Sequence, residues 1–297
     1  MRRDDAFGGY HPAITFLMFM LAVVLCVVVQ HPAFHAVAVV AGAAYYLMAR
    51  GRAGVAVVAG MVPVFVALTV LNAVFVPLGN TVLFTYFGGR PFTLEAFAHG
   101  ASTAALFVSV MLWFFAYNRV MTSDKFTYLF GGLAPAVTLM FTMVLRLVPT
   151  YQRKAAQLSA ARASVGRAAS EGTLATRVDS GVALVSVLAT WALEHAVTTA
   201  DSMRSRGFGA GKRTQFAHYR LVARDKVLLA AIFALALAAC AGIAGGAAHV
   251  DYIPAVVFPP LTPLYAATLA SYAALLFIPF LIDVREVVLW RISLSRI

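Results

Sequence analysis

Long apolar runs separated by short polar punctuation dominate the chain. Four come first, at about 12–30, 33–49, 55–78 and 97–117, and two more follow at about 226–248 and 263–282. A helix needs about 20 mostly apolar residues to cross a hydrocarbon core of about 30 Å, so each run is of spanning length. The pattern predicts an all-α integral membrane protein with six transmembrane helices. The opening run is expected to stay in the mature protein, because Gln30-His31-Pro32 and another span follow it without a small-residue cleavage site. Three regions result: an N-terminal bundle over 1–120 with an outer loop at 79–96, a mixed segment over 121–225, and a C-terminal transmembrane pair with an inner tail over 226–297.

Composition agrees, since 62% hydrophobic and 12% charged residues leave too little polar surface for a soluble globule. The 23 Lys+Arg against 12 Asp+Glu give a net charge of +11, and its placement sets orientation. Arg2 and Arg3, Arg50 and Arg52, Arg119 and Lys125, and finally Arg285, Arg291 and Arg296 fall on one side; only Arg90 falls on the other. About half of the basic residues lie between 151 and 226. Basic loops stay in the cytoplasm, which places both termini and the mixed segment on the inner face of a cell membrane. This requires that Ala134–Pro149 not cross. It covers only about 24 Å at 1.5 Å per residue. A seventh crossing, with the basic segment returned by a re-entrant turn, stays open.

Within the mixed segment, Pro135 suits the first turn of a helix that kinks at Pro149 and runs on to Val165. Gly166 and then Ser170-Glu171-Gly172 mark a break. Asp179 or Ser180 is expected to cap a second helix, in which Val182, Val185, Ala189, Ala192, Ala196 and Thr199 recur at helical spacing beside Leu184, Leu188 and Trp191. Gly207, Gly209 and Gly211 end it. Each helix closes on an arginine among small residues, Ala161-Arg162-Ala163 and Ser205-Arg206-Gly207. Small neighbours admit a partner backbone while the guanidinium grips a carboxylate with two hydrogen bonds. Two solvated surface charges are the bland alternative.

Four stretches in this order carry a resemblance: Leu129-Phe130-Gly131-Gly132-Leu133-Ala134-Pro135, then Leu145-Arg146-Leu147-Val148-Pro149, then Gln157 to Ala163, and Asp201 to Gly209. With the opening Asp5-Ala6-Phe7-Gly8-Gly9-Tyr10-His11-Pro12, the chain resembles the transmembrane T component of energy-coupling factor (ECF) transporters, a class of ABC importers. The resemblance implies a non-enzymatic scaffold whose coupling helices end in two Ala-Arg-Gly/Ser motifs seated on two ABC-type ATPases. These map to Ala161, Arg162 and Ala163 and to Ser205, Arg206 and Gly207, each departing from the motif at one position. It further implies a small substrate-binding S component resting on the apolar faces of 134–149 and 181–193, at Leu145, Val148, Leu184, Leu188 and Trp191. Vitamins or metal ions would be the cargo. ATP and magnesium would be bound by the ATPases, with no cofactor on this chain.

Other features are weaker. Gly207-Phe208-Gly209-Ala210-Gly211-Lys212-Arg213-Thr214 lacks the Ser/Thr after Lys and follows a helix, so it is not a phosphate loop. Asp4-Asp5 has no second carboxylate set, and the seven histidines show no metal-ligand spacing. Glu194-His195 reads as a solvated pair. Cys26 and Cys240 lie in apolar runs as packing residues. Thr81–Thr93 predicts a hairpin around Gly88-Gly89. No span interior is expected to hold a charge, against a secondary transporter. The rival reading is a membrane enzyme acting on an anionic lipid or diphosphate; nucleic-acid binding is disfavoured because apolar faces interrupt the basic segment.

Overall fold

Nine α-helices and one hairpin are described in the computed structural model, which covers residues 6–76, 78–86, 90–132, 134–166, 174–211, 219–252, 256–257 and 260–294. The helices are α1 Pro12–Val28, α2 Pro32–Arg50, α3 Arg52–Phe75, α4 Leu94–Val120, α5 Ser123–Gly131, α6 Pro135–Ser164, α7 Leu174–Ser205, α8 Ala223–Ala244 and α9 Pro263–Leu294. Two units emerge: Met1–Phe126 with Tyr219–Ile297, and Thr127–His218. Arg2, Arg3, Asp4, Asp5, Gly88, Gly89, Leu133, Ser170, Glu171, Gly172, Lys212, Arg213, Thr214 and Arg296 lie outside the described residues.

Six helices, α2, α3, α4, α7, α8 and α9, are long and apolar enough to cross a membrane, which makes the chain a multi-pass membrane protein. The set differs from expectation at two places. At 17 residues α1 reaches about 26 Å and falls short of a full crossing by length alone. By contrast α7, expected to be a cytoplasmic helix, is long and apolar enough on the strength of its 181–198 stretch, and it starts earlier than predicted. Asp179 and Ser180 therefore sit inside α7 rather than capping it. The Ala175–Val178 stretch holds no glycine or proline to stop the helix from extending backward.

Local chemistry sets the other ends. His11 and His31 cap α1 and α2, each Nδ1 accepting from the N–H two residues on (Ala13, 3.2 Å; Ala33, 3.1 Å), with Pro12 and Pro32 at the first helical position. Thr93 caps α4, its Oγ1 accepting from Ala96 N at 3.2 Å. The hairpin forms as predicted: β1 (Val82–Tyr86) pairs antiparallel with β2 (Arg90–Thr93), and Phe84 stacks on Phe92 at 4.7 Å. Beside it, the buried Glu95 carboxylate accepts from Thr81 Oγ1 at 2.5 Å, tying the loop to the start of α4.

In the first unit α4 packs on α1, α2 and α3, and α9 on α2 and α8. Its core is an aromatic knot: Phe19 meets Phe7, Tyr45, Trp113 and Tyr117, with ring centroids 5.9–6.1 Å apart. Such pairs add about 0.5–1.5 kcal/mol each beyond the area they bury. Small residues let the helices close. A Cβ at Gly42 would lie 3.3 Å from Trp113 Nε1, one at Gly100 2.7 Å from the Thr69 carbonyl oxygen, and one at Gly242 1.8 Å from Thr268 Oγ1.

Asp225 and Asp283 lie one residue outside the predicted runs at 226–248 and 263–282, and both are buried: Asp283 within α9 is 5% exposed and Asp225 in the first turn of α8 is 2% exposed. Each carboxylate accepts one backbone N–H. Asp283 Oδ1 accepts from Phe7 N at 3.0 Å, and Asp225 Oδ2 accepts from Val222 N at 3.2 Å. Lys125 Nζ donates to the Gly8 and Val120 carbonyls at 2.7 and 2.9 Å. The N-terminal 3-10 turn, Phe7–Gly9, is thereby held as a plug in one end of the bundle. The unpaired thiols agree with their packing assignment for Cys26, which is buried 3.5 Å from Tyr272 Oη, whereas Cys240 is exposed.

The Gly242 contact is testable by compensation. Gly242→Ala should cost about 1–3 kcal/mol through overpacking, and Thr268→Ala in the same chain should restore most of it. Thermal unfolding in detergent reads both. A single variant as stable as the parent would refute the close α8–α9 approach.

Candidate functional site

The second unit is built on α6 and α7. Pro135 opens α6 at its first turn, and the helix continues through Pro149 to Ser164. Along α6 only Thr138 is buried; along α7 no described residue is. Val137, Met140, Phe141, Val144 and Val148 on α6 are exposed, as are Val178, Val182, Val185, Leu193 and Val197 on α7. A surface this apolar requires lipid or protein against it.

Both helices end on glycine. Gly166 has φ +73° and its N–H bonds the Ala163 carbonyl at 3.0 Å. Gly207 also has φ +73°; its N–H bonds Arg204 O and the Phe208 N–H bonds Met203 O, both at 3.0 Å. That pair of bonds is a Schellman closure, with Arg206 at the cap position. Arg162 lies in the last turn of α6. Both arginines therefore sit where a cation complements the carbonyl end of a helix dipole.

The two helices meet antiparallel. Arg162 Nη1 donates to the Ser180 carbonyl at 3.2 Å, and Tyr151 packs edge-on against Trp191 at 5.1 Å. Lys154 Nζ lies 5.5 Å above the same indole, on whose plane His195 stacks at 5.2 Å and 6°. Trp191 is thus the clamp of the pair, a cation–π and stacking cluster. From Ser180 beside Arg162, α7 runs roughly 39 Å to Arg206 at 1.5 Å per residue. The two arginine tips are accordingly held at opposite ends of the helix pair.

Each predicted position can be placed. Arg162 is half-buried and spends one N–H on Ser180, with Ala161 and Ala163 exposed beside it. Ser205, Arg206 and Gly207 are exposed, and the Ser205 hydroxyl bonds back to the Ser202 carbonyl at 3.0 Å. Leu145, Leu184 and Leu188 are half-buried and Val148 is exposed. Trp191, expected to face an outside partner, is engaged within the unit. His195, read as a member of a solvated pair, stacks on it. The missed partners are Tyr151 and Lys154. Their signal was available in part: Trp191 and His195 are four residues apart and share a helix face. No family model and no curated protein matches the chain.

The clamp predicts a measurable loosening. Spin labels at the exposed positions Ala156 and Ser186 should give a narrow distance distribution in the parent. Trp191→Ala should broaden it and Trp191→Phe should preserve most of its sharpness. A distribution unchanged by Trp191→Ala would show that the indole does not hold the pair.

Proposed function

We propose that the chain is the transmembrane scaffold and energy-coupling subunit of an ECF-type ABC importer, a non-catalytic component at the cell membrane with both termini in the cytoplasm. Two cytoplasmic ABC-type ATPases bind ATP and magnesium. Their grooves receive the Arg162 and Arg206 tips, which reach carboxylates by bidentate hydrogen bonds. A separate membrane S component carries the substrate, a vitamin or metal ion, and rests on the exposed apolar faces of α6 and α7. Change in the separation of the ATPases moves the two tips relative to each other, and the clamped pair converts that motion into tilt of the S component.

The observation that carries this reading is the combination, in one helix pair, of a glycine-stopped arginine at each far end and a helix with no buried side chain among its described residues between them. A lever needs two separated points of application and a load surface, and the pair supplies both. The cytoplasmic placement of α7, which makes α1 a crossing together with α2, α3, α4, α8 and α9, rests on Arg204 and Arg206 at its end and on the basic residues that follow, which the positive-inside rule retains within the cell.

Copurification decides between this scaffold and a membrane enzyme acting on an anionic lipid or diphosphate. The scaffold should bring down two ATP-binding subunits and a small membrane protein; an enzyme would turn over alone. Arg162→Ala and Arg206→Ala should each weaken ATPase association by roughly tenfold or more, the scale expected for a charge-assisted hydrogen bond, and the double variant should abolish it. Association and transport that both survive the double change would overturn the proposal.

A further inference from the structure

At one end of the first unit lies an open cleft of about 410 Å³ between the N-terminal turn and helices α8 and α9. Tyr10, Arg224, Ile282, Arg285, Glu286 and Leu289 line it. Four of these stand on α9 at spacings of three, four and seven residues, so they share one helix face. Apolar Ile282 and Leu289 bracket the charged Arg285 and Glu286. On the opposite wall, the Arg224 guanidinium lies 4.9 Å over the Tyr10 ring and 3.6 Å from Asp225 Oδ1, which fixes its place and balances its charge.

Arg285 and Glu286 differ from Arg224. Both are exposed, and neither has a hydrogen bond or ion pair among the described residues. The cleft therefore offers one cation and one anion side by side, neither of them bonded among the described residues. Its depth is set by the helices: the apolar run of α8 begins at Val227, just past Arg224, and that of α9 closes at Ile282. Trp290, 57% exposed on the same end of α9, is of the type that anchors a helix at the membrane–water interface. At this end of α8 and α9 each apolar run meets charged residues, the position expected of a lipid headgroup.

We propose that this cleft binds an aminophospholipid, the headgroup phosphate on Arg285 and Arg224 and the protonated amine donating to Glu286. The cation–anion pair of the protein mirrors the anion–cation pair of a phosphoethanolamine headgroup. A phosphatidylglycerol would leave Glu286 facing a headgroup of its own sign, and the quaternary ammonium of phosphatidylcholine has no N–H to donate. The proposal is independent of the importer reading.

Native mass spectrometry of the full chain, equilibrated with equal amounts of phosphatidylethanolamine, phosphatidylglycerol and phosphatidylcholine of matched acyl chains, tests it. The parent should retain phosphatidylethanolamine over phosphatidylcholine by roughly tenfold, as for a charge-assisted hydrogen bond. Glu286→Gln should erase that discrimination while phosphatidylcholine retention stays unchanged. Arg285→Gln should lower retention of all three lipids, and Arg285→Lys should recover part of it. Glu286 and Arg285 are exposed, so thermal unfolding should find these variants folded. Equal retention of the three lipids, preference for phosphatidylglycerol, or displacement of the lipid by inorganic phosphate alone would each overturn the proposal.

Discussion

In hydrocarbon an apolar helix gains nothing by exchanging lipid for another apolar helix, so contact between helices must be specified by shape. The first unit meets this constraint with glycines at the points of closest approach: Gly42 under Trp113, Gly100 against the Thr69 carbonyl, Gly242 against Thr268. Each lies on a different helix pair, and together they bring α2, α3 and α4, and separately α8 and α9, within backbone reach. The aromatic knot around Phe19 fills the space that this approach leaves at one end. Without the close contacts the rings would have no fixed walls to pack against.

The second unit is organised on the opposite principle. Its helices meet at the Trp191 indole and at the Arg162–Ser180 bond, and no described side chain of α7 is buried. A helix pair with so little internal burial takes its stability from its surroundings. This suits an element whose geometry is meant to answer to what touches it, because a thin internal interface leaves the angle between the helices soft. The glycine-terminated ends are the exception: their Schellman and turn bonds fix each arginine on the last turn whatever the helices do relative to each other.

Much of this was legible in the chain. Apolar runs located α1 to α4 and α8 to within a few residues, and the start of α9, because hydrocarbon imposes length and composition directly on sequence; α9 runs on to Leu294, well past its apolar run, since a helix does not end where its apolar residues do. The outer hairpin and the glycine stop at Gly207 were equally plain, since each depends on residues adjacent in the chain. Three things escaped. The start of α7 lay earlier than its expected Asp179 or Ser180 cap, because a polar residue marks a helix end only when the preceding stretch disfavours helix. The Asp283 tie to Phe7 left no local trace; in sequence it looked like an ordinary charge at the edge of a span. Trp191 was recognised as part of an apolar face, but its cluster with Tyr151 and Lys154 joins two helices, and periodicity along one helix says nothing about the other.

The Asp283–Phe7 bond joins residues 276 positions apart. On a ribosome Phe7 emerges long before the carboxylate of Asp283 that receives it. The Phe7 ring can settle early against Phe19 and Tyr45, but its N–H lacks its partner until Asp283 has been made. Closure of the bundle therefore comes late in synthesis, and a chain truncated before Asp283 would leave the plug without its latch.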